Sequence, residues 1–451
     1  MPGDHLGFLA AASEVVGKAH VLTDATSLIR YSTDWTGRFK GRSPAVLRPG
    51  STEEIRDLLG AARAFGVSVA LQGGNTSLSG GTVPISGEVI CSLERMGGVE
   101  IDVGSGQATL GAGTTLSQLM EAARASGWDY GVDFASRARA TIGGTIATNA
   151  GGMRVIAHGD TRAQLLGVTA VLGTAQVISH MGGLSKEATG YDLSGLLCGA
   201  EGTLGVVTAA RVKLVRPKDR KVVALLAFDT LGSAVEAVYT VRGLRALAAA
   251  ELFVDTGLEL VCQTTGLPSP FESPHDAYLL IEVCDDTDPR PQLDQVLDSL
   301  GSLAQAAVGG DDRQAARLWR YREAHSEAIA TIGVPHKIDV CVPLRALPQF
   351  VDVVSDLASR FGATLWLFGH AAEGNLHVNL TGLGDSEIAD EEVLRVAVEL
   401  GGSISAEHGI GTAKRRWLHL SRSPEELATF RALKSALDPD GVLNPSVLLG
   451  G

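Results

Sequence analysis

Paired cysteines are missing from this sequence of 451 residues. Its five cysteines, Cys91, Cys198, Cys262, Cys284 and Cys341, are scattered without a CxxC pair. That spacing excludes an iron–sulfur motif and a disulfide framework, and it reads as buried thiols in a reducing compartment. No basic run and no stripe of aromatic and basic residues interrupts a formal net charge of −13, from 38 Lys plus Arg against 51 Asp plus Glu. Nucleic acid is therefore not an expected partner. No apolar stretch approaches the roughly 18 residues of a spanning helix, and the first residues, with Asp4 and Glu14 around a weak apolar patch, lack the pattern of a signal peptide. The expected location is the cytoplasm, without a membrane span. Low-complexity tracts are absent too. Glycine, by contrast, is abundant at 55 residues. It is concentrated in the first half, where backbone must turn tightly or approach a ligand closely.

At about 100 to 200 residues per domain, the length implies two or three domains. Ser51-Thr52-Glu53-Glu54 has the capping-box pattern, and Ile55, Leu58, Leu59, Ala62 and Phe65 follow at helical spacing. Strands are predicted at 67–71, 89–93, 165–172 and 206–215, with alternation over 99–116 and a helix at 115–126. After 217 the character changes. Strands at 222–228 and 277–283 and helices at 231–243 and 291–303 suggest a ferredoxin-like antiparallel domain. A helix over 312–332, a strand at 337–342, a helix at 345–361, two strands over 364–380 and a helix at 424–437 complete the chain. The expected class is α+β. The expected domains are 1–217, 218–409 and a C-terminal helical segment, 410–451, that returns to the first.

Gln72-Gly73-Gly74-Asn75-Thr76-Ser77-Leu78-Ser79-Gly80-Gly81 follows a predicted strand. Adjacent glycines let several N–H groups converge on one anion, and Thr76, Ser77 and Ser79 add hydroxyls. Thr141-Ile142-Gly143-Gly144-Thr145-Ile146-Ala147-Thr148-Asn149-Ala150-Gly151-Gly152 again supplies small residues where a flat, extended ligand could lie against backbone. Neither stretch has the GxGxxG spacing that leads directly into a helix, which disfavours a Rossmann nicotinamide site.

With these loops, Lys186-Glu187-Ala188-Thr189-Gly190-Tyr191-Asp192-Leu193, the run from Gly199-Ala200-Glu201-Gly202-Thr203-Leu204-Gly205 to Thr208, and Asn444-Pro445, the sequence resembles the FAD-binding oxidoreductases of the vanillyl-alcohol oxidase type. The branch is the one containing D-lactate, glycolate and D-2-hydroxyglutarate dehydrogenases, and the likeness runs from about residue 20 to the end. It implies a two-part FAD-binding domain and an antiparallel cap domain. It implies that Gln72, Gly73, Gly74, Asn75, Thr76, Ser77, Ser79 and Gly80 hold the FAD pyrophosphate. Thr141, Gly143, Gly144, Thr148, Asn149, Gly151 and Gly152 would line the isoalloxazine and ribityl chain. Glu201, Gly202 and Val207 would close the adenine side, with Asn444 also at the cofactor. No His or Cys lies in either loop, so FAD is expected without a covalent link. Two departures stand out: Thr174-Ala175 replaces the usual polar-glycine turn, and Ser136-Arg137-Ala138-Arg139 brings an arginine pair before the second loop.

His370-Ala371-Ala372-Glu373-Gly374-Asn375-Leu376-His377 places two imidazoles on opposite sides of a tight turn, where paired strands could bring them together. Ser405-Ala406-Glu407-His408-Gly409 offers a carboxylate and a third imidazole. Two His and one carboxylate leave an open coordination position, as catalytic zinc requires. The residues alone do not choose between Glu407 and His408 as third ligand. The resemblance makes His370, His377 and Glu407 the ligands of zinc, or of Mn2+ or Co2+, and His408 the general base, whose unperturbed pKa of about 6.5 suits that task. Glu373 is expected to be a solvated turn residue.

Arg322 and Ser326, four apart on a predicted helix, share one face, and Lys337 begins the next strand. In an acidic protein such a cluster suits a carboxylate, or else a solvated helix face. The resemblance makes Arg322, Ser326 and Lys337 substrate ligands, with Ser326 where a Thr is more familiar, and adds Asn379. A second carboxylate site inclines the expectation toward D-2-hydroxyglutarate, oxidised with FAD as hydride acceptor, over D-lactate or glycolate. A zinc hydrolase and a non-catalytic flavin-binding subunit are the more distant alternatives. The electron acceptor, whether an electron-transfer flavoprotein, a quinone or another redox protein, is not set by these residues. Oligomeric state is not set either, a homodimer being one option.

Overall fold

The structure, a computed structural model, describes residues 3–184, 186–384 and 386–449. The chain divides into two compact units: residues 1–151, 159–216 and 407–451 form the first, and 152–158 with 217–406 the second. The strip 152–158, which includes Gly152, thus joins the second unit. The later division falls between Ala406 and Glu407, three residues before the expected position.

The first unit holds two sheets. Strands β1 (Val21–Leu22), β2 (Val46–Leu47), β3 (Val69–Gln72) and β4 (Val89–Ser92) lie in the order β1-β2-β4-β3, with β3 and β2 both parallel to β4. The helix Thr52–Phe65 forms where the spacing predicts it, because Ser51 Oγ accepts from the Glu54 N–H and Gly66 ends it in the left-handed region. Glu54 reaches back to the Gly50 N–H at 2.7 Å, one residue beyond a regular capping box. Its apolar stripe of Ile55, Leu58, Leu59 and Ala62 packs with Phe8 and Ala12 of the helix His5–Val16 against Val69, Val89 and Cys91.

Strands β5 (Val99–Asp102), β6 (Gln107–Gly111), β7 (Leu165–Leu172), β8 (Val177–His180) and β9 (Gly205–Lys213) make an antiparallel sheet ordered β5-β6-β9-β7-β8. Leu116, Leu119, Ile142 and Ile146 pack against it. The C-terminal segment runs beside β3, with Val69 N–H donating to Val442 O and Asn444 N–H to Val69 O. Asp438, just past the helix Pro424–Leu437, pins that segment by accepting from the Val442 and Leu443 N–H groups and from Lys434 Nζ.

The second unit is built on one seven-stranded sheet. Its strands are β10 (Arg220–Phe228), β11 (Leu247–Val254), β12 (Ala277–Asp285), β13 (Gln305–Gly309), β14 (His336–Cys341), β15 (Thr364–His370) and β16 (Asn375–Thr381). All neighbours are antiparallel, in the order β13-β10-β12-β11-β15-β16-β14. The helices Asp255–Thr265, Asp312–Glu323 and His325–Ala330 cover the face that carries Phe253, Tyr278, Leu280 and Phe368. The single helix expected over 312–332 is thus two, with Ala324 at the joint. Strands β11 and β13 and the helix Ile388–Glu399 were not anticipated. Among the described residues no helix is long and apolar enough to cross a membrane.

Candidate active site

In the first unit, β3 delivers the chain into the loop 73–81. Gln72 Nε2 fixes the exit by donating to Tyr31 O and Thr82 O, while Asn75, at φ 53°, closes the loop through Thr33 O and the Thr82 hydroxyl. Between these anchors, the half-buried N–H groups of Gly73 through Leu78 find no acceptor among the described residues. Backbone donors that far from bulk water are rarely left without a partner, so this run suits an anionic group such as a pyrophosphate.

The second glycine stretch is not extended. Thr141 caps a short helix, Ile142–Thr148, through the Gly144 N–H, and Asn149 ends it at φ 50°. Gly143 abuts Ala112, and the Thr148 hydroxyl is turned back to Gly144 O. The N–H groups of Gly151 and Gly152 have no acceptor among the described residues. The two stretches meet: a Cβ on Gly73 would stand 2.3 Å from Thr141 Oγ1, and one on Gly74 1.8 Å from Arg139 O. Gly74→Val must therefore push the first loop off its backbone neighbour, at a cost of about 1 to 3 kcal/mol or more. The expected result is a flavin-to-protein absorbance ratio about tenfold below wild type after purification.

Both departures from the resembled family are accommodated. Ala175 takes φ 65° in the turn 172–176, where glycine would be unstrained, and Arg137 pairs with Asp133 at 3.1 Å.

Glu201 is buried at φ 50°, and its carboxylate is committed to a loop: Oε1 accepts from the Ile410 N–H at 2.8 Å and Oε2 from the Gly411 N–H at 2.7 Å. Burial pushes its carboxyl up, opposed by those two bonds and by Lys414. Asn444 accepts from the Leu71 N–H and donates to Glu201 O, and a Cβ on Gly202 would meet its amide at 2.8 Å. Ser79 completes the strap, since its Oγ donates to His408 O and its carbonyl accepts from the Thr412 and Ala413 N–H groups. Val207 is buried within β9. Glu201, Asn444 and Ser79 thus fix the segment that follows His408, a role the sequence did not suggest.

In the second unit, the register of the large sheet sets a row on one face. Glu251 lies opposite His370, Phe253 opposite Phe368, Phe368 opposite His377, His377 opposite Asp339, and Asn379 opposite Lys337. The turn Ala371–Glu373, closed by Gly374 at φ 73°, brings His370 and His377 to ring centroids 5.3 Å apart. The loop that follows Ser403, itself bridged to Cys341, is held by the Ala406 N–H donating to Asp339. Glu407 and His408 come next in the chain. The ligand atoms of His370, His377 and Glu407 lie within 4.8 Å of one another, as do those of Asp339, His377 and His408.

The hydrogen bonds discriminate between these two sets. His370 Nδ1 is 2.7 Å from Glu251 Oε1, which makes Nε2 the nitrogen that ring can offer, the usual arrangement behind a metal-ligating imidazole. Asp339 stands 3.5 Å behind His377 Nδ1, and its oxygens already accept from Asn375 Nδ2 and the Ala406 N–H. It is placed as the carboxylate behind a ligand, and the donor set His370, His377 and Glu407 suits a divalent cation better.

Arg322 is buried beneath this row. Its Nε lies 2.7 Å from Glu251 Oε2, close but off the N–H line, and its guanidinium covers the Phe368 ring at 4.6 Å. Its Nη groups have no acceptor among the described residues, which suits an incoming carboxylate. Ser326 is half-buried on the next helix, Lys337 is half-buried at the edge strand β14, and the Asn379 amide donates to His377 O at 3.2 Å. His325 lies between Phe253 and Phe368, where burial, helped by Arg322, pulls its pKa down to about 3 and keeps it neutral.

Sequence reasoning missed Glu251 and Asp339. It also misplaced Glu373, which is half-buried, not solvated; burial, with Glu251 adding and His370 opposing, pushes its pKa up to about 7.

Residues 43–180 match the model of an FAD binding domain, and 217–448 that of the C-terminal domain of FAD linked oxidases. The chain is 36% identical to a D-2-hydroxyglutarate dehydrogenase of Xanthomonas citri pv. viticola, over 98% of this chain and 96% of the relative. It is 34% identical to the mitochondrial D-2-hydroxyglutarate dehydrogenase of Arabidopsis thaliana, over 97% and 80%. In fold it resembles p-cresol methylhydroxylase, with TM-score 0.81 at 15% identity over 98% of this chain and 96% of that one. It also resembles alkyldihydroxyacetonephosphate synthase, with TM-score 0.77 at 18% identity over 98% and 85%.

Proposed function

The chain belongs to the FAD linked oxidases, as an FAD-dependent dehydrogenase of vanillyl-alcohol oxidase fold, and on that premise we propose that it oxidises D-2-hydroxyglutarate to 2-oxoglutarate with the help of a divalent metal. The observation that carries the metal reading is the cluster of His370, His377 and Glu407, with a buried carboxylate behind each imidazole. When bound, the metal, zinc or else Mn2+ or Co2+, lowers the pKa of the substrate hydroxyl, and FAD supplies the hydride acceptor. The residues suited to hold the cofactor's pyrophosphate, without a covalent link, are those of the 73–78 run.

The chain's own residues do the rest. His408 takes the hydroxyl proton as the C2 hydrogen leaves as hydride. Arg322 presents its Nη face to the distal carboxylate, with Lys337 as a second positive charge and Ser326 and Asn379 as neutral hydrogen-bonding groups. Buried Phe253 and Phe368 floor this face and exclude water, which strengthens each of these interactions. The donor of electrons is thus a small anionic 2-hydroxy acid, and a separate redox partner would be the final acceptor.

A panel of acids under anaerobic conditions tests the substrate. D-2-Hydroxyglutarate is expected to bleach the bound flavin at least about tenfold faster, per unit concentration, than D-lactate or glycolate, because one more charged hydrogen-bonded contact is worth about 1.5 to 3 kcal/mol. Equal bleaching by D-lactate would place the chain with the monocarboxylate dehydrogenases of the same fold.

A further inference from the structure

Glu251 sits in the middle of β11, fully buried among Leu252, Phe253 and Leu280, on a strand that is otherwise apolar. A carboxylate taken that far from water costs several kcal/mol unless it is paired. Its close partners are His370 Nδ1 on Oε1 and Arg322 Nε on Oε2, both at 2.7 Å, and Glu373 adds a like charge nearby. An apolar pair in place of Glu251 and Arg322 would serve the strand and the core at least as well, so the fold does not call for this buried ion pair.

We propose that Glu251 is a positioning residue that sets metal affinity and the preference for a dicarboxylate together. The inference rests on the reading above, in which His370 ligates the metal and Arg322 the distal substrate carboxylate. On one side the carboxylate holds the His370 tautomer that protonates Nδ1, aims Nε2 and raises its basicity. On the other it fixes the plane of the Arg322 guanidinium, already laid on Phe368, so that the Nη edge faces the ligand without loss of side-chain entropy on binding. One anion thereby ties the ligand at the reacting end of the substrate to the cation at its far end. Neither partner is near it in sequence: His370 is 119 residues away.

The test uses the full chain loaded with FAD, stripped of metal by a chelator, and titrated with zinc against a chromophoric competitor. Glu251→Gln keeps the volume but offers a single acceptor oxygen. Its expected zinc affinity is about 10- to 100-fold below wild type. With zinc saturating, its KM for D-2-hydroxyglutarate rises about tenfold more than its KM for D-lactate, while FAD content is unchanged. Glu251→Asp keeps the charge but is one methylene too short to reach both partners, and it recovers part of one effect only.

Should Glu251→Gln fail to fold because Arg322 is left unpaired, Glu251→Gln combined with Arg322→Met removes both charges, and zinc affinity still falls by the same factor. Wild-type zinc affinity together with an unchanged KM ratio in Glu251→Gln, or wild-type zinc affinity in the double variant if only that one folds, would overturn the proposal. His370→Ala separates this failure from that of the parent reading. If it loses zinc while Glu251→Gln does not, Glu251 is not a positioning residue and the metal site stands; if wild type and His370→Ala bind zinc alike, the metal site itself is wrong.

Discussion

His408→Ala is expected to slow flavin reduction by D-2-hydroxyglutarate about 10² to 10⁴-fold, the usual contribution of a positioned general base. FAD content should be unchanged. The reason lies in how the residue is held. Its backbone carbonyl accepts from Ser79 Oγ, and the residues just after it are strapped by Glu201 through the Ile410 and Gly411 N–H groups. Those bonds involve main-chain atoms at positions 408, 410 and 411, so removing the imidazole leaves the strap intact. Stopped-flow absorbance of the anaerobic protein separates the two quantities, since initial flavin colour reports binding and its decay reports chemistry. A variant that decays at the wild-type rate would remove His408 from the mechanism.

The elements that were legible in the sequence are those whose local chemistry agrees with their final state. Ser51 and Glu54 announce the helix Thr52–Phe65, and Thr115 with Gln118 forms a full capping box at the start of the helix Leu116–Ala125. Strand β7, an apolar run bounded by turn residues, is also found where expected. Strand β11 was hidden for the opposite reason. Its residues, Leu-Ala-Ala-Ala-Glu-Leu-Phe-Val, are mostly good helix formers, and only pairing with β12 and β15 holds them extended. Missing β11 meant missing Glu251, because a carboxylate in an alanine-rich run carries no signal until the strand opposite it is known.

The site was legible where its residues cluster along the chain. The turn between His370 and His377 makes their meeting readable, and Glu407 beside His408 supplies the remaining candidates at one place. Spacing did not decide which of that pair ligates. Asp339, already occupied by Asn375 and the Ala406 N–H, weighs against the alternative set, and that is a fact of hydrogen bonding, not of spacing. Glu373 shows the same limit from the other side. Its position in a turn suggests solvent, yet packing half-buries it and pushes its pKa up to about 7. The Ile142–Thr148 helix escaped because two adjacent glycines argue against a helix, and here the Thr141 cap and contact with Ala112 outweigh them.

Removal of the metal should cost as much as removal of the base. A divalent cation at a developing alkoxide contributes several kcal/mol, so metal-stripped protein should reduce its flavin at least about a hundredfold more slowly. The FAD is expected to stay bound through this treatment, because the donors assigned to it, the N–H groups of 73–78, are backbone groups that a chelator does not touch. The His370 imidazole should also stay oriented, since Glu251 holds it from behind. The most direct measurement is the anaerobic rate of flavin bleaching by D-2-hydroxyglutarate in FAD-loaded, chelator-stripped protein as zinc is titrated back. The expected result is a rate that is nearly lost on stripping and restored as zinc approaches one equivalent per chain, with no recovery in His370→Ala. Full-rate bleaching by the stripped protein would contradict the account.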